Sequence, residues 1–448
     1  MQIGRPGFWD GLFRWTVHCL EVGTTCPAPA LHWNSEGEDP FITADEYKAH
    51  GLEGSLEIPD WPPLVLAEVD ALLRRYPQAA GAERLLSISP RPFSAASVVA
   101  TPGGRVFVKR HHRSVRNRDG LLEEHRLITF LGTRGEELVA PVLADANGET
   151  VVTVGDWTYE VHTLARGVDV YKQALSWTPF LSDGHARAAG QALARLHRAA
   201  EGYEASPRKT WQLVTSFTIF AGGSNYSSES KNSYRTDPIT RMDAYLEKRP
   251  LLGAYVEQRN WRTSLEELLI PLSEKLEPWL QYLRPLWTHN DFHASNLMWS
   301  GDREDAKVCA VIDFGLADRT NAIHDLATAI ERNIIEWLRM DDPEAEIVHF
   351  DYLDALLAGY EEMSPLSYEE ARALVAMLPL VHCEFALSET DYFLTILHSE
   401  QKAYLAYEGY FLAHAQWFQR RQGRRLLAHL ERWVEKAVRK SAARVSAR

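Results

Sequence analysis

The segment from His289 to Gly315 constrains this chain more than any other. It reads His289-Asn290-Asp291-Phe292-His293-Ala294-Ser295-Asn296, then a strand-like Leu297-Met298-Trp299, a polar turn, and Val308-Cys309-Ala310-Val311-Ile312 running into Asp313-Phe314-Gly315. Two short apolar runs on either side of a turn predict a pair of strands. Such a pair would deliver three oxygen-bearing side chains, Asp291, Asn296 and Asp313, to one edge. Phosphoryl transfer needs that layout: a carboxylate to orient or deprotonate an acceptor hydroxyl, and separate oxygen ligands to hold Mg2+ against nucleotide phosphates. An Asn beside an Asp supplies oxygens without gathering excess negative charge. Asp291 or Asp313 alone would read as a loop acid at a strand end; the joint pattern H-x-D-x-x-x-x-N and I-D-F-G carries the inference.

A second signal lies far upstream. Gly103-Gly104 separates Ser97-Val98-Val99-Ala100 from Val106-Phe107-Val108-Lys109, the pattern of a hairpin. A helix is predicted from about Arg118 to Leu131, stopped by Gly132 and Gly135. Its period sets Glu124 among Leu121, Leu127, Ile128 and Leu131 on the apolar face, and Glu123 on the solvent side. A carboxylate on an apolar face needs a partner, because an unpaired buried charge costs several kcal/mol. Lys109 is the expected one.

Around these motifs the chain divides into an irregular extension (1–62), a sheet-bearing unit (63–165) with further strands at Thr150 to Val154 and Thr158 to Thr163, and a mainly helical unit (166–448) interrupted by a polar loop at 221–237. The formal charge of −13 argues against a nucleic-acid partner, which would call for a surplus of Lys and Arg. Four scattered cysteines without C-x-x-C spacing suggest neither zinc nor a disulfide framework. With no basic-then-apolar leader and no run of roughly 18 apolar residues, a cytoplasmic protein away from membranes is expected. The basic tail, including Arg424, Arg425, Arg432 and Lys436, reads as the solvated face of a helix striped by Leu426, Leu430, Trp433 and Ala437. Histidines beside carboxylates raise a metal hydrolase as a rival, but none has the H-E-x-x-H spacing.

The order Lys109, Glu124, His289-x-Asp291, Asn296, Asp313 resembles the aminoglycoside phosphotransferase and choline kinase superfamily, small-molecule kinases with a protein-kinase-like fold. The resemblance runs from about Leu64 into the helical region. It implies an α+β, two-lobe architecture with a small antiparallel-sheet N-lobe and a large helical C-lobe. It also implies ATP and Mg2+ as cofactors, with Asp291 as catalytic base and Asn296 and Asp313 as metal ligands. Lys109 and Glu124 would serve the nucleotide, and adenine would bond to backbone at a hinge near Val161, His162, Thr163 and Leu164. His289 and Asp325 would support the catalytic loop, Asp325 by opening and capping a helix, and His197 would pack. Asn290 resembles the choline kinase pattern, and Asn tolerates a left-handed backbone better than other non-glycine residues.

Two departures stand out. No G-x-G-x-x-G precedes Lys109; Ser89-Pro90-Arg91-Pro92-Phe93-Ser94-Ala95-Ala96-Ser97 occupies its place, where small residues could bring backbone N–H groups near a phosphate. The gap from Asp313 to Asp325 is too short for the activation segment of protein kinases, which favours a small hydroxyl acceptor over a peptide. The acidic, aromatic run Glu384, Glu389, Asp391, Tyr392, Glu400 and Tyr404 would suit a cationic acceptor, though a solvated helix with aromatic core contacts is the plainer reading. A catalytically silent nucleotide-binding module is the alternative function. Aminoglycoside, choline-like, amino-alcohol and sugar-like acceptors all fall within the resemblance.

Overall fold

The computed structural model describes residues 48–446 apart from 53, 176, 221–236 and 343, with side chains to 436. The polar loop expected at 221–237 therefore lies, but for its last residue, outside the described residues. Asp237 caps the helix Pro238–Glu247 by accepting from the Thr240 amide at 3.0 Å.

A five-stranded antiparallel sheet forms the smaller lobe, in the order Arg84–Leu85, Ala95–Thr101, Gly104–His112, Trp157–Thr163, Val151–Val154. Both tight hairpins need a left-handed residue, and glycine supplies it: Gly104 at φ 121° and Gly155 at φ 58°. Alternation along the three long strands sends Val99, Val106, Val108 and Val161 into one core. The helix Leu66–Leu73 closes that core with Val69, Leu72 and Leu73.

The helix Arg118–Thr133 follows the strand Gly104–His112. Asn117 caps it by accepting from the Gly120 amide at 2.9 Å, and its apolar stripe of Leu127, Ile128 and Leu131 packs into the core of the larger lobe. That lobe is helical. Its helices Asp183–Ala200 and Phe350–Met363 cross so closely that a Cβ on Gly190 would collide with the Leu356 carbonyl. Two small antiparallel pairs, Pro285–Thr288 with Asp318–Asn321 and Leu297–Trp299 with Val308–Val311, frame the loop that carries Asp291. The architecture is α+β and kinase-like, with a small antiparallel-sheet lobe and a large helical one. No helix among the described residues is long and apolar enough to cross a membrane.

Candidate active site

Two left-handed residues shape the loop edge: Asn290 at φ 59° and Asp313 at φ 60°. Asx residues tolerate this conformation because their short polar side chains bond locally. Asp313 does so, accepting from the Gly315 amide at 3.3 Å. Asp325 is wholly buried and accepts from the amides of His289 (2.9 Å) and Asn290 (2.8 Å), which pins the start of the loop. The helix cap expected of Asp325 is instead Asn321, which accepts from the His324 amide at 2.8 Å. His197, expected only to pack, lies 3.1 Å from Asp325 and 2.8 Å from the Tyr360 hydroxyl. His289 accepts the Asp291 amide at Nδ1 (3.2 Å), which leaves Nε2–H to donate to the Ile312 carbonyl at 3.0 Å.

Asn296 donates through Nδ2 to the Asp291 carbonyl (3.0 Å) and carboxylate (3.1 Å). His293 Nε2 lies 3.6 Å from the same carboxylate, and Arg332 reaches its other oxygen at 3.5 Å. Burial would raise the Asp291 carboxyl, but His293, Arg332 and His289 hold it below the ordinary carboxylate range. Arg332 is set in turn by Glu331, 3.6 Å away, which is buried against His382 (3.7 Å) and His414 (3.4 Å).

The expected Lys109–Glu124 pair is not formed. Lys109 Nζ binds Asp313 at 2.8 Å, and Glu124 accepts from two buried guanidiniums, Arg208 at 2.5 Å and Arg116 at 3.2 Å. Two arginines can surround a buried carboxylate more completely than one ammonium can. Both also donate to the Gly315 carbonyl, Arg208 at 2.7 Å and Arg116 at 2.8 Å, so Glu124 tethers its helix to the Asp313 turn. Glu124 still adds to the negative field at Lys109.

Two cavities meet here. One, of about 300 Å³, runs between the lobes and is bordered by Lys109, Glu124, His162, Thr163, Leu164 and Asp313. Val161, expected at the hinge, does not border it: its side chain is in the N-lobe core and its carbonyl accepts from the Leu143 amide at 2.7 Å. The other, of about 160 Å³, lies beside Asp291 and is walled by Trp177, Phe385, Arg332 and Glu389. Arg91, Ser94, Lys109, Asn296 and Asp313 border both.

Of the acidic and aromatic run in the helical lobe, Glu389 alone borders the second cavity. Glu384 accepts from the Thr218 and Ile219 amides (2.6 Å each), Asp391 from Gln212 (3.0 Å), and Tyr392 donates to Asp60 (3.2 Å). Glu400 is exposed and Tyr404 is 36% exposed. The sequence reading missed Arg332, although its signal was present: seven residues after Asp325, it lies two turns along the same helix face. His293 and Ser295 were also missed, although both stand inside the His289–Asn296 motif, and so were Arg91 and Trp177, to whose convergence sequence spacing held no comparable clue.

A site of this kind, between a sheet lobe and a helical lobe, belongs to the kinase-like phosphotransferases. The profile of the Phosphotransferase enzyme family matches residues 93–366, and the chain belongs to that family. Among solved structures, an aminoglycoside phosphotransferase from Alicyclobacillus acidocaldarius is 15% identical, with 84% of this chain and 98% of that chain covered and a TM-score of 0.47. A microcompartment-associated aminopropanol kinase is 16% identical, covering 82% and 97%, at a TM-score of 0.48. A thermostable mutant aminoglycoside phosphotransferase in ternary complex with ADP and hygromycin B is 15% identical, covering 78% and 98%, at 0.42. No curated protein sequence matches the chain.

Proposed function

We propose that this chain transfers the γ-phosphate of ATP to a hydroxyl of a small, amine-bearing molecule. The observation that carries the reading is the meeting of the two cavities at Asn296 and Asp313, with Asp291 on the wall of the smaller one. The nucleotide would lie in the inter-lobe cavity with Lys109 near its phosphates, and the acceptor beside Asp291. As the acceptor oxygen bonds to the γ-phosphorus, the bond from that phosphorus to the β–γ bridging oxygen breaks and the hydroxyl proton passes to Asp291. A base held at low basicity suits a loose transition state dominated by positioning and electrostatics.

Asn296 and Asp313 fit a hard cation such as Mg2+. Asn296 uses its Nδ2 on Asp291, which leaves Oδ1 available, and Asp313 Oδ2 has no hydrogen-bond partner among the described residues. Bound there, Mg2+ would neutralise charge on the β- and γ-phosphates. Glu389 supports an amine on the acceptor. It is 4% exposed, borders the acceptor cavity between aromatic walls, and makes no hydrogen bond among the described residues. An ammonium would supply the missing partner.

ADP release with Mg-ATP, measured across a panel of amino alcohols and their deaminated analogues, tests this. The amino alcohols should be the better acceptors. Asp291→Asn should lower turnover about a hundredfold to ten-thousandfold and leave Mg-nucleotide affinity nearly intact, whereas Asp313→Ala should damage both. Near-normal turnover in Asp291→Asn would remove Asp291 as the base; nucleotide binding without turnover of any acceptor would favour a silent module.

A further inference from the structure

We infer that Arg91 is a catalytic residue that binds the γ-phosphate, doing with a guanidinium what a glycine-rich loop does with backbone N–H groups. The inference rests on the phosphotransferase reading and goes beyond it to a residue no sequence motif marks. The loop Ser89-Pro90-Arg91-Pro92-Phe93-Ser94 joins the strands Arg84–Leu85 and Ala95–Thr101, where such a glycine-rich loop would lie. Pro90 and Pro92 have no N–H to offer. The Ser89 amide donates to the Ala96 carbonyl at 2.9 Å, and the Arg91 amide to Ser89 Oγ at 3.3 Å. A backbone cradle is therefore largely lost at the place where phosphates need donors.

The loop is also held in place. The His50 amide donates to the Pro90 carbonyl at 2.8 Å, and Phe93 packs edge-on against Tyr392 at 5.5 Å between centroids. The Arg91 side chain crosses to the catalytic loop and donates to Ser295 Oγ. Ser295 Oγ is 2.8 Å from His293 Nδ1, and His293 adjoins Asp291. Arg91 faces the negative charges of Asp291, Asp313 and Asp169, with Arg332 opposing, and it borders both cavities. It shares that border with Ser94, Lys109, Asn296 and Asp313, where the two cavities meet. Its fork matches phosphate oxygens, and charge on them can be stabilised throughout transfer.

The test compares Mg-AMP-PNP and Mg-ADP binding by calorimetry in the wild type, Arg91→Gln and Arg91→Lys, with melting curves to verify folding. Arg91→Gln should weaken AMP-PNP binding about tenfold to a hundredfold, as expected for losing a hydrogen bond to a charged group, and leave ADP binding unchanged. Arg91→Lys should fall between, keeping the charge without the fork. Equal losses for both nucleotides, or none, would overturn the assignment, as would an effect confined to the acceptor KM. Failure of the wild type to bind either nucleotide would instead overturn the phosphotransferase reading itself, and this inference with it.

Discussion

Burial pushes the Glu389 carboxyl up to about 8; the charges of Asp291 and Glu331 add to the rise and Arg332 opposes it. At pH 7 and without acceptor, this side chain is therefore mostly the protonated acid. An ammonium beside it favours the carboxylate, so binding of an amino alcohol should release a proton. Calorimetry in buffers of different ionisation enthalpy reads this directly: wild type should show release at pH 7, and Glu389→Gln none. Equal proton release in both would place the amine elsewhere. The same shift has a stability sign. The folded-state value is above the ordinary 4.5, so stability falls as pH rises from about 4.5 to about 8, and Glu389→Gln should remove that slope.

At the scale of elements, the helix Arg118–Thr133 separates what was legible from what was not. Its span and its buried face follow from local periodicity, and Glu124 is buried while Glu123 is only partly so. Its partner Arg208 was not legible, because it lies 84 residues away on an irregular stretch and nothing local distinguishes it from other cations, whereas Arg116 stands only 8 residues before Glu124. The motif from Asp291 to Asp313 was legible for the opposite reason: its chemistry is packed into one short hairpin. Removing one partner from a buried ion pair typically costs about 3–5 kcal/mol. Glu124→Gln should therefore lower the melting temperature markedly and weaken nucleotide binding through the Asp313 turn, and Glu123→Gln should do little. Glu123 lies 3.6 Å from Arg208 and accepts from the Lys209 amide at 3.2 Å, so a larger effect at Glu123 would mean that its own contact with this stretch, and not the Glu124 clamp, secures the helix.

For the whole molecule, the described part of 48–62 joins the two lobes around the cavity beside Asp291. Its strands Ala49–His50 and Leu56–Glu57 pair, His50 bonds to the Pro90 loop, and the Leu52 carbonyl accepts from Tyr410 at 2.6 Å. Asp60 accepts from Lys402 at 3.1 Å and from Tyr392 at 3.2 Å. His50, Gly51, Leu52 and Gly54 wall the cavity beside Asp291, so a stretch whose sequence has no period gains its order from long-range partners. Lys402 also lies 3.3 Å from Glu57 and thus anchors this wall through two carboxylates. Lys402→Ala leaves Asp60, 3% exposed at its side chain, without its cation. Loosening the wall should raise the acceptor KM several-fold while Mg-ADP affinity stays at the wild-type value, because the inter-lobe cavity does not include this stretch. Steady-state kinetics in the acceptor, paired with nucleotide calorimetry, separates the two effects. A matched loss of nucleotide affinity would mean that the stretch governs lobe closure rather than the acceptor wall.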